Sequence, residues 1–192
     1  MKKLILDLCG GTGSWSRPYS EHPDTYEVLI IDPQEWLPDD PGTGDVRLFK
    51  HLKSKRKVHG ILAAPPCTHF SASGARWWEA KGPQALLDGL SVADACARIV
   101  LTHEPEWWAM ENPVGRLRSY YGDPALIFDP CDYGDPYTKR TLIWGKFNTP
   151  PKCRVEPTEG SKMHRLPPGP DRARLRSATP PGWANAFFEA NP

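Results

Sequence analysis

Apolar positions in this chain come in short dense runs, each ended by turn residues. Residues 3–8 (KLILDL) form the first run, closed by Asp7, a CGGTG turn and a helix-like stretch. Residues 27–31 (EVLII) form the second, closed by Asp32-Pro33, and 58–64 (VHGILAA) another, stopped by Pro65-Pro66. Residues 107–111 (WWAME) end at Asn112-Pro113, and 126–129 and 141–145 complete the strand candidates. A helical period replaces the runs over 84–104, where Leu86, Leu87, Leu90, Val92, Ala93, Cys96, Ile99 and Val100 stand at helical spacing. Further helices are expected at 47–57, near 115–121 and at 183–190, with another element near Asp45-Val46. Residues 34–45 are turn-rich, 67–83 read as a long loop, and prolines erase any period from 148 to 182. Strands alternating with helices predict an α/β fold with a mainly parallel sheet, helices on both faces and ligand loops at the strand carboxyl ends.

Composition narrows the classes. The 192 residues, 39% hydrophobic with 20 aromatics, suit one domain with one well-formed core rather than a disordered chain. No apolar run reaches membrane-spanning length and the amino-terminal run is short for a signal peptide, so a cytosolic protein is expected. Five cysteines without a CxxC pair point to reduced thiols, not a disulfide scaffold or a zinc cage, and no metal is expected. Net charge is +1, but unevenly spread: 18–46 hold eight acids and no Lys or Arg, whereas 47–57 and 152–176 are basic. Such faces suit phosphate contact or simple solvation.

Four groups of residues carry candidate chemistry. Asp7 and the turn Cys9-Gly10-Gly11-Thr12-Gly13 follow the first strand, where glycines let the main chain approach a ligand. With Asp32 ending the next strand, a nucleoside-bearing cofactor is one reading, and a plain strand-to-helix turn the other. Cys67 follows Pro65-Pro66 on a Ser/Gly-rich loop, presented as a nucleophile or packed as a small hydrophobe. Glu111 ends an apolar strand, where partial burial raises a carboxyl's pKa and permits acid/base work. Arg140, in the Lys139-Arg140-Thr141 run before a strand, could hold a base carbonyl or a phosphate.

Taken in order, these groups resemble the cytosine-C5 DNA methyltransferase family, particularly its small phage-type members. DLCGGTGSWS is similar to the family's DLFxGxG, IDP and GDV (44–46) to its next two motifs, and AAPPCTHFSASG to its PCQxFS loop. MENP is similar to ENV, YGDPYTKRTLIWG (133–145) to YGxPQxRxR, and RSATPPGWANAF (176–187) to the motif that closes the cofactor site. The resemblance implies a single Rossmann-like catalytic domain over 1–192, monomeric, using S-adenosyl-L-methionine to methylate cytosine in DNA. It implies that Cys67 adds to carbon 6 of a base flipped out of the duplex or lying in a single strand, Glu111 holds ring nitrogen N3 and Arg140 contacts the base carbonyl. It further implies that Cys9–Gly13 meet the methionine part of the cofactor, Asp32 the ribose and Asp45 the adenine amine. Asp7 and Pro65 would border that site and Asn185 would brace it, with the loop 68–83, including Trp77 and Trp78, as a lid. Thr68 stands where the family has Gln, ENP replaces ENV, and Leu142 falls where a second arginine is expected. Only 148–175 is available for target recognition, with Arg154, Lys162 and Arg165 as candidate contacts. Three other readings compete. They are a nucleotide enzyme of the thymidylate-synthase type, a non-catalytic DNA-binding relative, and transfer of a modified group from an altered sulfonium.

Overall fold

Runs of five or six apolar residues bury both of their faces only at the centre of a layered α/β structure, and the runs at 3–8 and 58–63 do so here. The computed structural model describes residues 1–33, 44–49, 52, 56–169 and 172–192. Its strands are β1 (Lys3–Leu8), β2 (Tyr26–Ile31), β3 (Val58–Ala63), β4 (Trp107–Pro113), β5 (Leu126–Phe128) and β6 (Thr141–Lys146). They form one sheet in the order β2-β1-β3-β4-β6-β5. The first three ladders are parallel, and β6 runs antiparallel to both β4 and β5.

The two faces of the sheet have different chemistry. Leu4, Leu6 and Leu8 of β1, Ile61 and Ala63 of β3, and Met110 of β4 point to one side. There they meet α2 (Trp78–His103) through Ala93, Cys96, Ile99 and Val100. The helix is kinked at Gly82 (φ 71°), and Pro83 opens its long straight part. That proline sits where a missing N–H costs nothing. Ile5, Leu62, Trp107, Ala109 and Ile143 point to the other side, toward α1 (Arg17–Ser20) and α6 (Pro181–Ala190). This second core is aromatic: Trp183 stacks on Phe128 at 4.2 Å, and Phe187 meets Trp15 edge-on at 5.6 Å. Burying side chains of this size contributes about 2–3 kcal/mol each, which is what holds a ten-residue helix on the sheet. The Trp107 ring lies over Gly60, where a Cβ would come within 2.1 Å of it.

Several local expectations change. Residues 46–48 form a turn rather than a regular element. Val46 and Phe49 are buried there against the α2 face. Arg47–Phe49 are therefore not helical, and the remainder of the expected basic helix at 50, 51 and 53–55 lies outside the described residues. So does 34–43, within the turn-rich stretch. The loop after Pro66 holds two 3-10 segments, Cys67–His69 and Ala72–Trp77. Past β6, two short helices form in the proline-rich stretch, α4 (Lys162–Arg165) and α5 (Arg172–Ser177), while α3 (Arg118–Tyr121) fills the 115–121 region. Among the described residues no helix is long and apolar enough to cross a membrane.

Candidate active site

Strand register brings the chemistry together. Leu8 pairs with Ile31 and with Ala63, and Ala63 pairs with Met110. The residues that follow, Cys9, Asp32, Ala64 and Glu111, therefore lie along one edge of the sheet. Because β6 runs the other way, with Thr141 opposite Pro113, the residues that precede it reach the same edge. A cavity of about 110 Å³ there is bounded by Asp7, Cys9, Gly10, Gly11, Cys67 and Glu111, with Lys139 and Arg176 across from them. It opens into a cleft of about 910 Å³ that also takes in Asp32, Ser71–Gly74, Arg140 and part of the α4–α5 segment.

The inner end is a main-chain cradle. Cys9, Gly11 and Gly13 all take positive φ (56°, 52° and 65°), so the chain coils tightly after β1. Gly10 sits directly on the Asp7 carboxyl, where a Cβ would come within 2.5 Å of its carbon. Asp7 is buried and accepts a 2.5 Å hydrogen bond from Ser16 Oγ, while its Oδ1 has no partner. Burial raises its pKa from 3.8 to about 7, the Ser16 bond partly offsetting the rise and the nearby Asp32 charge adding to it. Asp32 Oδ2 accepts the Gly11 N–H at 3.0 Å, which ties the glycine turn to the end of β2. Cys9 packs against the α2 core, and contact with the Cys96 thiol together with burial pushes its own thiol far up.

The other end holds a thiol, a carboxyl and an ammonium. Pro65 and Pro66 deliver Cys67 to the start of a 3-10 turn, in which its carbonyl accepts from the Phe70 and Ser71 N–H groups. The buried Asn112 donates to the Pro65 carbonyl at 2.8 Å and so pins this loop to the neighbouring strand. Gly115 lets the next turn approach the Phe70 carbonyl, where a Cβ would stand 1.9 Å away, and Arg116 donates to the His69 carbonyl at 2.7 Å. Burial pushes the Cys67 thiol up, and the charge of Glu111 adds to this. Lys139, and more weakly Arg176, pull it back down. Burial likewise raises the Glu111 carboxyl, with Lys139 opposing. A thiol, a carboxyl and an ammonium thus share one desolvated corner, where the carboxyl and the ammonium act on the thiol in opposite directions.

Of the residues singled out from sequence, Asp7, Cys9, Gly10, Gly11, Thr12, Asp32, Pro65, Cys67 and Glu111 line the two connected spaces. Gly13 shapes the turn without lining them. Three others are placed differently. Arg140 reaches the outer cleft, but its exposed guanidinium pairs with Asp129 at 3.0 Å, and the cation felt by both Cys67 and Glu111 is Lys139. Asp45 grips Arg47 through its Nε and Nη2 and is not among the lining residues, because the turn at 46–48 directs the chain into the core. Asn185 is exposed, since α6 turns Trp183, Ala184 and Phe187 inward instead. Arg154 is likewise engaged by Asp132 at 2.6 Å. Lys139 could have been found by counting: in YGxPQxRxR the first arginine stands three residues after the proline, and Lys139 stands three after Pro136. Arg176, Ser177 and Thr179 also line the inner cavity.

No family model matches the chain. It is 26% identical over 176 residues to the Type II methyltransferase M.DdeI of Desulfomicrobium norvegicum, covering 73% of this chain and 39% of that protein. The chain thus spans about two-fifths of the length of this curated relative. It also superposes on a crystal structure of a putative DNA modification methyltransferase encoded within a prophage of E. coli. The TM-score is 0.52 at 18% identity, covering 86% of this chain and 56% of that one. The fold is a Rossmann-like α/β methyltransferase fold.

Proposed function

We propose that the chain methylates carbon 5 of cytosine in DNA, using S-adenosyl-L-methionine, through a transient bond from Cys67 to carbon 6. The observation that carries this reading is the shared corner of Cys67, Glu111 and Lys139, opening directly onto the Asp7–Gly11 cradle. Similarity to the Type II methyltransferase supports the reaction class. The cradle fits the cofactor on its own chemistry. An unpartnered buried carboxylate oxygen of Asp7 suits an ammonium, and the side-chain-free backbone at Gly10 and Gly11 leaves room for a close approach. Asp32 at the end of β2 suits ribose hydroxyls. When bound, the cofactor supplies an electrophilic methyl group on a sulfonium.

The chain's own residues do the rest. Lys139 stabilises the Cys67 thiolate, whose sulfur bonds to carbon 6 and pushes electron density to carbon 5. Glu111, whose carboxyl is raised by burial, donates to N3 when protonated and offsets the charge that develops on the ring. With Glu111 neutral, the charge that otherwise disfavours the thiolate is absent, so the two proton states support one another. Carbon 5 takes the methyl group and loses its proton to solvent; the electron pair left behind expels the sulfur, N3 returns its proton to Glu111, and the aromatic ring and the Cys67 thiolate are restored. The base must first leave its stack, at a cost of roughly a few kcal/mol. Incubation with methyl-labelled cofactor and mixed-sequence DNA is expected to label cytosine in wild-type protein and not in Cys67→Ser. Labelling of adenine, or undiminished labelling by Cys67→Ser, would contradict the reading.

A further inference from the structure

The outer cleft has two unlike walls. One carries Lys139, Arg140, His164, Arg174 and Arg176; the other is made of Thr68, Ser71–Gly74 and Val114, none of them charged. Asp32 is the one carboxylate among the described residues of this cleft, and it is bonded to Gly11. A cleft cationic on one side matches a single phosphate chain, with the bases turned toward the neutral side. That neutral wall leads along the 3-10 segment to Trp77, which is 55% exposed and has the Arg76 guanidinium 5.1 Å from its ring. At about 2 Å per residue, Trp77 stands one base-stacking step or two beyond Gly74.

The segment between β6 and α6 is poorly suited to a duplex. Its described helices have four and six residues, the longer spanning about 9 Å, too little to lay a recognition surface along a groove. Four of its cations already hold an acceptor. Lys152 and Arg154 hold Asp132, Lys162 holds Glu159, and Arg165 donates to the Glu159 carbonyl.

Resting on the methylation reading above, we infer that the substrate is cytosine in an unpaired DNA strand, with phosphates along the Lys139–Arg176 wall and a neighbouring base stacked on Trp77. The test uses one sequence in three forms: a single strand, a fully paired duplex, and a duplex whose target cytosine lies in a short bubble. Methyl transfer is expected to be at least tenfold more efficient on the single strand and the bubble than on the paired duplex. Equal or better transfer to the paired duplex would overturn the inference. Fluorescence anisotropy on the same oligonucleotides separates this from the reading beneath it. If no form is methylated, the methylation reading falls, and a Kd ratio favouring the duplex overturns the strand preference as well. Trp77→Ala is expected to weaken single-strand binding roughly tenfold with duplex binding unchanged, and Trp77→Phe to restore it. An unchanged single-strand Kd in a folded Trp77→Ala protein would remove Trp77 from the strand's path.

Discussion

The two sides of the candidate site are built differently. One side, formed by the Cys9–Gly13 turn, the Pro65–Cys67 loop and Glu111, follows parallel strands and is largely main chain held by strand register. The other side, formed by Lys139 before an antiparallel strand and Arg176 near the end of α5, is made of long cationic side chains. The first is rigid because few backbone conformations satisfy it. The second acts by charge at a distance and tolerates more change. Substitutions on the first side should therefore abolish a function, whereas those on the second should grade it.

The largest effect is expected at Cys67. Cys67→Ser should reduce methyl transfer by at least about a thousandfold, measured with labelled cofactor, while leaving cofactor binding intact. Next is Gly10→Ala, whose Cβ would collide with the buried Asp7 carboxyl. It should abolish cofactor binding by calorimetry, because Cys9 and Gly11 on either side are held at positive φ and leave the backbone little room to yield. A Gly10→Ala protein that binds normally would break the distinction between the two sides.

On the charge side, Lys139→Met should lower transfer roughly 30- to 100-fold and Arg140→Met only a few-fold. The pH dependence of Cys67 alkylation sharpens this. Lys139→Met should move the thiol's titration to higher pH, because the charge that lowers it is gone, and Glu111→Gln should move it lower. Arg140→Met losing as much as Lys139→Met would return the role to Arg140.

Asp7 links the sides to pH. Its carboxyl, raised to about 7 in the folded protein, must ionise to hold an ammonium. Cofactor affinity should therefore fall as pH drops below 7, by up to tenfold per unit. The native state binds this proton more tightly than the unfolded chain. Asp7 thus favours folding below the ordinary value of 3.8, and that contribution is lost as pH rises toward 7. Asp7→Asn should flatten that decline in chemical-denaturation measurements. The smallest effect is Asn112→Ala, which removes the hydrogen bond to the Pro65 carbonyl and should cost about 1–3 kcal/mol by thermal unfolding.

The same contrast explains what could be read from sequence. The strands announced themselves as apolar runs, and Asp7, Asp32, Cys67 and Glu111 stood where those runs stop, which in a parallel sheet is one edge. Trp107 through Glu111 needed no more than that. Arg140 and Lys139 differ by one position ahead of a strand whose direction is not written in its composition, and only the antiparallel pairing of β6 with β4 decides which cation turns inward. Asp45 and Asn185 fit a linear motif, but the turn at 46–48 and the inward aromatic face of α6 take them elsewhere. Arg176 lies 109 positions from Cys67, and no local pattern brings them together.

The central claim is tested most directly by trapping. An oligonucleotide carrying 5-fluorocytosine cannot release the enzyme, because the fluorine replaces the proton that must depart. Incubated with cofactor, the protein should form a covalent complex whose tryptic map places the nucleotide on the Cys67 peptide. Methyl transfer to ordinary cytosine with no trapped complex, or a complex on another cysteine, would contradict the account.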